Sequence, residues 1–423
     1  MMDIWTLPDL RRRILFTLGI LVVFRFLAHV PLPGVDIEAL RGFFEGYLLF
    51  GMLDLFAGGA MAAFSIAALG VFPYVTASII MQLLVPVIPR LQALSQEGEL
   101  GRQKINRITH MVTIPLAALQ GYGMIALLRA EGVTIEPLGA LALASIIITM
   151  VAGTVFLVWL GELITERGVG NGISIIIFGG IVAGLPGIVG RGIAEAIEGQ
   201  PWGLIAYIIL TLAMVVLVVV FVEAHRRIPV QYARSTFRSG RMYRQSGSTF
   251  IPLRVNIAGM IPLIFALALM QFPGTIATHF MNPVGQDPNF WNTVFNLFRP
   301  DTVLYQVLYF ALVIGFTLFY TMVIFEQMNL PQTLQQQGGF VPGVRPGKAT
   351  ANYLNRLIKR ITFGGALFLG IVAIMPFIGK EITDVTLLVI ESTAILIAVG
   401  VALDTMKQLE AQLTMRRYEG FLK

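Results

Sequence analysis

Long apolar stretches separated by short charged ones dominate the chain. Ten candidates lie at roughly 14–33, 62–88, 108–128, 138–160, 171–190, 202–222, 255–276, 302–324, 361–379 and 385–404. About 20 helical residues cross the hydrocarbon layer of a bilayer, so the pattern predicts ten membrane-spanning helices. Windows 55–89, 137–161, 168–190, 199–222 and 302–325 carry no Lys, Arg, Asp or Glu. A membrane barrel would show short alternating segments instead. The first run is long, contains Arg25 and His29, and lacks a small-residue cleavage pattern, so no cleavable signal peptide is expected.

The pattern breaks before span two. The run Gly51–Ser65 is short and interrupted by Gly58 and Gly59, which suits a re-entrant, half-inserted segment. Irregular backbone survives at membrane depth only inside protein or beside a water-filled cavity, so a channel or transport cavity follows. Asp54 reads as a cap or an outer-vestibule residue. Pro73, Pro115, Pro262 and Pro376 fall inside or near the ends of spans two, three, seven and nine, where each can bend a helix. Ten spans divide into five and five with opposite orientation, which permits an inverted repeat. Polar groups inside spans are few. Glu391 sits within span ten, where a carboxylate must be paired, protonated or facing water. Arg25 and His29, four apart on span one, share a face and form either a polar seam or a packing contact.

Composition sharpens the class. Of 423 residues, 56% are apolar and 13% charged, and the mean hydropathy is +0.78. That charge is about half the usual soluble share. The fold class is therefore an all-α polytopic membrane protein. With the N-terminus and its Arg11, Arg12 and Arg13 placed in the cytoplasm, 24 of the 30 Lys and Arg residues fall on the cytoplasmic side. This asymmetry follows the positive-inside rule and puts both termini inside. Two large cytoplasmic loops result. Residues 223–254 hold seven arginines against Glu223, and residues 326–360 hold Arg345, Lys348, Arg356, Lys359 and Arg360 against Glu326. Such loops serve as orientation signals touching anionic lipid, or as a docking surface for an acidic partner. Within the second, Gln332–Gly347 is rich in Pro and Gly and suits an ordered reverse turn presenting an arginine.

Much chemistry is missing. There is no cysteine, and His29, His110, His225 and His279 lie far apart without metal-ligand spacing. GVGNGIS, Gly168–Ser174, lacks the lysine of a phosphate loop and is no dinucleotide fingerprint. Neither a metalloprotease His-Glu pair nor a serine in a nucleophile elbow occurs. No cofactor, metal or catalytic residue is expected, and energy must come from a partner, a gradient or passive opening.

Several stretches together carry a resemblance. FPYVTASIIMQLL (72–84), WLGELITERGVGNGISIIIFGGIVAGLP (159–186), RRIPVQYA (226–233), FVPGVRPG (340–347) and GVALDTMKQLEAQL (400–413) occur in this order. The chain resembles, over nearly its whole length, the SecY family, the channel-forming subunits of the bacterial protein-conducting translocon.

The resemblance implies two five-helix halves, 1–190 and 191–423, closing like a clamshell around a pore. It implies a short plug helix made of Asp54, Leu55, Phe56, Ala57, Gly58, Gly59, Ala60, Met61, Ala62, Ala63, Phe64 and Ser65. Spans two and seven, helped by three and eight, would form a lateral gate toward lipid. Val71, Val75, Ile177, Ile264 and Ile397 would form an apolar pore ring, a dewetting constriction that resists ions and grips no particular side chain. Arg241 and Arg345 would dock the ribosome or a SecA-like motor ATPase. SecE-like and SecG-like subunits, signal-bearing precursors and membrane lipids complete the expected partners. Two departures stand out. Gln335, Gln336 and Gln337 occupy positions where the family has a basic pair, and Glu391 and Ser392 replace paired glycines, which bears on Ile397 nearby.

The expected function is passive secretion of unfolded precursors across the cytoplasmic membrane and lateral insertion of hydrophobic segments into it. An ion-coupled small-solute transporter with inverted repeats is the alternative, and would need polar ligands at midplane where this chain offers mainly Glu391. An accessory scaffold without a pore is the third reading, against which the re-entrant segment argues.

Overall fold

The computed structural model describes residues 8–33, 40, 54, 57–130, 139–198, 201–238, 241–259, 261–280, 287, 289–299, 302–328, 330–345, 347–383 and 387–420. In chain order the helices are α1 (Pro8–Leu27), α2 (Phe72–Leu84), α3 (Pro89–Gln96), α4 (Glu99–Ala130), α5 (Ala140–Arg167), α6 (Gly172–Glu198) and α7 (Pro201–Glu223). Strands β1 (His225–Arg238) and β2 (Arg241–Arg254) follow, then α8 (Ile261–Phe280), α9 (Phe290–Leu297), α10 (Val303–Met328), α11 (Leu330–Gln336), β3 (Gly339–Phe340), α12 (Lys348–Thr383) and α13 (Leu387–Gly420). A helix overlaps each of the ten expected spans. Among the described residues, Ala140–Arg167, Val303–Phe325 and Lys348–Met375 are each long and apolar enough to cross a membrane alone. The pair Phe72–Leu84 and Pro89–Ser95 passes the same test jointly, bent by 102°.

The chain forms two compact units. The first gathers residues 1–211, 267–306 and 376–423. Here α1 lies against α5 and α6, α2 against α4, α4 against α5, α5 against α6, and α6 against α13. One stripe of α1, made of Leu10, Thr17, Ile20 and Phe24, is buried. Leu15, Leu18, Val22, Val23 and Phe26 are exposed, as suits a face that meets lipid.

The glycine-rich turn between α5 and α6 is structural. Thr165 Oγ1 donates to the Gly161 carbonyl at 3.0 Å and accepts from the Gly172 amide at 2.9 Å. Thr17 Oγ1 of α1 accepts from the Val169 amide at 3.2 Å. A Cβ on Gly172 would overlap the Gly161 carbonyl oxygen, so the two helices meet this closely only with glycine there. In lipid, helices associate through close packing and hydrogen bonds rather than through hydrophobic exclusion.

The second unit comprises residues 212–266 and 307–375. It joins strands from the two large loops expected at 223–254 and 326–360. β1 and β2 form a long antiparallel hairpin from His225↔Arg254 to Arg238↔Arg241. β3, from the other basic segment, pairs with β1 at Gln231↔Phe340 and Tyr232↔Gly339. Ile228, Val230, Leu253, Phe325, Leu334, Val341, Leu354 and Ile358 form one buried core beneath them. Ile228 and Val230 point inward at strand spacing while Pro229 between them is exposed. Part of the expected Pro/Gly turn is therefore the helix α11 and the strand β3.

Span two is corrected as well. The helix starts only at Phe72, and residues 57–71 are turns. Pro73 sits in the first turn of α2 and Pro262 in that of α8. Proline lacks the amide that is unpaired there anyway, so these two begin helices rather than kink them. Pro115 does lie inside α4.

Gly172→Ala should lower the thermal midpoint of the purified protein, by about 1–3 kcal/mol of overpacking. Gly364→Ala, with open space around its Cβ position, serves as the control. Equal midpoints for the two variants would contradict the close helix approach.

Candidate functional site

The segment before α2 is built around Asp54. Its Oδ1 accepts from the Met61 amide at 2.9 Å and the Ala62 amide at 2.7 Å. Its carbonyl accepts from the Gly59 amide at 2.8 Å. The carboxylate thus caps a compact turn from seven residues away, as its sequence setting suggests. Leu55 and Phe56 lie outside the described residues. Where a short plug helix is expected, residues 57–65 are a series of turns. Gly58 and Gly59 have φ of +71° and +79°, and Phe64, a non-glycine, has +41°. Helical backbone excludes these angles.

Within the first unit this segment is seated against α1 and α6. A Cβ on Gly58 would lie 2.9 Å from Gly180 Cα on α6 and 3.2 Å from Phe24 Cζ on α1. Arg25 Nη1 of α1 donates to the Gly58 carbonyl. A short antiparallel bridge joins Pro31 to Ser65, with the Leu32 amide donating to Phe64 at 2.7 Å and the Ile66 amide to Val30 at 3.0 Å. Ala57, Ala60, Met61, Phe64 and Ser65 are buried.

Four of the five candidate ring residues lie in the first unit and are buried. Val71 is the N-cap of α2 and Val75 sits one turn on, so both occupy one face. Ile177 is on α6 and Ile397 on α13, two helices that pack together. Ile264 is half-buried on α8 in the second unit.

The candidate docking residues belong to the second unit. Arg345 is exposed. Val341, four residues before it, is buried in the core under the sheet, and the Thr350 hydroxyl donates to the Arg345 carbonyl at 2.9 Å. A turn anchored at both ends therefore presents the guanidinium. Arg241 opens β2 opposite Arg238, at the end of the hairpin.

The SecY family model matches residues 65–406. The chain belongs to the SecY family. It is 44% identical to the protein translocase subunit SecY of Halalkalibacterium halodurans, over all of this chain and 99% of that one. The identity with SecY of Thermus thermophilus is also 44%, over 98% of this chain and 95% of the relative. Among solved structures, a protein-conducting channel superposes with a TM-score of 0.68 at 18% identity, covering 95% of this chain and 92% of the other. Sec61 in the canine ribosome–channel complex of the endoplasmic reticulum gives 0.65 at 18% identity, covering the same shares. The fold is thus that of these channels, and the chain is a multi-pass membrane protein.

One polar cluster in this SecY family chain escapes sequence reasoning. Glu162 Oε1 on α5 accepts from Asn106 Nδ2 on α4 at 2.9 Å and lies 2.9 Å from His110 Nε2. Tyr74 on α2 donates to Asn106 at 3.3 Å and meets the His110 ring edge-on, centroids 5.5 Å apart. Three helices are pinned together here. Asn106 and His110 stand four apart on one helical face, which is the one signal of it in the sequence. Among the described residues no three of His, Cys, Asp and Glu gather as metal ligands, so the cluster is read as a clasp.

Asp54→Ala removes the acceptor of two amides. A lost cap costs about 1 kcal/mol, or roughly fivefold in an opening equilibrium. Hydrogen exchange of the Met61 and Ala62 amides should therefore accelerate by about that factor, while α2 is unchanged. Unaltered exchange at both would show that the carboxylate does not hold the turn.

Proposed function

We propose that the chain is the pore-forming subunit of a bacterial translocase: a passive channel for unfolded precursors crossing the cytoplasmic membrane, and for hydrophobic segments leaving sideways into lipid. The observation that carries this reading is kinship over the whole chain with translocase subunits, joined to an irregular segment enclosed by protein before α2. The role is non-enzymatic, with energy supplied by a motor ATPase or the ribosome. The ion-coupled transporter is not favoured, because the relatives are translocase subunits.

In this reading the chain is two five-helix halves, 1–190 and 191–423, with both termini in the cytoplasm. Residues 54–65 act as the plug. Val71, Val75, Ile177, Ile264 and Ile397 form the waist, and burial of four of them supports it. A ring of branched apolar side chains dewets a narrow constriction and offers a passing peptide no hydrogen bonds. Segments that prefer lipid partition out by a few tenths of a kcal/mol per apolar residue. SecE-like and SecG-like subunits brace the channel. The surface carrying Arg241 and Arg345 meets the ribosome or a SecA-like motor, a reading supported by the likeness to a ribosome-bound channel.

Replacing Val75, Ile177 and Ile397 together by asparagine should wet the waist and raise resting ion current severalfold in planar bilayers. Unchanged current from a verified, assembled triple variant would remove the ring from the mechanism. Arg345→Glu should slow precursor transport in reconstituted vesicles by on the order of tenfold, at unchanged yield of complex. A fall in yield with normal transport per complex would make the residue structural instead. Single cysteines introduced in place of Arg227 and Gln335, both exposed, should react with an impermeant maleimide from the cytoplasmic side only. Labelling from outside would overturn the orientation.

A further inference from the structure

Arg25 is a guanidinium that follows eleven uncharged residues of α1, 14–24. No acidic side chain within α1 stands one turn away: positions 21, 22, 28 and 29 are Leu, Val, Ala and His. A charge in such a setting is expensive unless it is paired or hydrogen-bonded. The partner found here is backbone. Arg25 Nη1 donates to the carbonyl of Gly58, and the Cβ position of Gly59 lies 3.9 Å from the same nitrogen. The contact joins α1 to the irregular stretch before α2, at two consecutive glycines of positive φ. Neither residue there has a side chain that could block the approach.

The surroundings fix the arginine in this role. Phe24, its neighbour, is buried beneath Gly58. His29 Nδ1 lies 2.8 Å from the Arg25 carbonyl, which ties the end of α1 just where the chain turns toward the Pro31–Ser65 bridge. The turn over 57–65 has its own internal cap in Asp54. It therefore does not need Arg25 to keep its shape, only to stay where it is.

We infer that Arg25 is a positioning residue for the seal, a latch whose charge-assisted hydrogen bond to the Gly58 carbonyl holds the 54–65 segment in its closed seat. The inference rests on the reading of that segment as the plug. A carbonyl is an acceptor that water replaces readily, so the latch releases when the site wets and reforms when it dries. The bond is made to backbone, and so it is indifferent to the side chains of residues 57–63.

The test uses the assembled complex. Arg25→Met keeps length and removes all donors, and Arg25→Lys keeps a single point-charge donor. Because the chain has no cysteine, an Ala57→Cys background reports plug position through the reaction of its one thiol with an impermeant maleimide. Arg25→Met is expected to raise resting channel openings roughly tenfold, the scale of one hydrogen bond to a charged group. Current per open channel should stay unchanged, and the reporter thiol should label faster. Arg25→Lys should restore most of the closure. In a chain lacking residues 54–65, Arg25→Met should add no further current. Equal added current with and without the plug, or unchanged thiol labelling in matched amounts of complex, would overturn the latch. If deleting 54–65 leaves resting current unaltered, the sealing role falls, whereas faster thiol labelling in Arg25→Met would still establish the latch as a contact.

Discussion

A peptide group in hydrocarbon can hydrogen-bond only to protein or to trapped water, and an unmet one costs several kcal/mol. Helices meet this demand by themselves. Fifteen consecutive residues ahead of α2, 57–71, do not form a helix, so each of their amides must be answered individually. Asp54 answers two, the Asp54 and Gly59 carbonyls answer Gly59 and Ala63, and Ala60 answers Ser65. The Ser65 hydroxyl accepts from Ala67 at 3.2 Å, and Val30 takes the Ile66 amide. This network leads the chain to Val71, the N-cap at which α2 begins.

The same demand is met differently in the second unit. Between β1, β2 and β3 the backbone is satisfied by a sheet. The apolar core below, from Ile228 to Ile358, follows soluble-protein rules in which burial from water drives packing. In the first unit some of the tight contacts are instead between backbones, as at Gly161–Gly172 and Gly58–Gly180. One chain thus uses two packing regimes.

Much was legible in advance. The apolar runs overlap the long helices among the described residues, and Asp54 read as a cap or an outer-vestibule residue, of which the structure shows the cap. The hairpin was not legible, because the charge of its arginines outweighs a short alternation around Ile228 and Val230, and because β3 lies more than a hundred residues away. Proline reads alike at a helix start and at a kink, so Pro73 and Pro262 were ambiguous until the bounds of α2 and α8 were known. The Tyr74–Asn106–His110–Glu162 clasp joins helices separated by long intervals in sequence, which spacing within one helix cannot reveal. Arg25 was visible as an odd charge, but its partner is a carbonyl, and a carbonyl leaves no mark in a sequence.

In the plug reading proposed above, the internal capping by Asp54 bears on what repeated opening demands of residues 57–65. A segment whose turns relied on α1 and α6 would unravel on leaving them, and each return would be a folding event with the loop-closure entropy of about a dozen residues to recover. A segment that carries its own cap travels as a preformed body on a short tether. Return is then a matter of local concentration and orientation, like a ligand that never leaves its receptor.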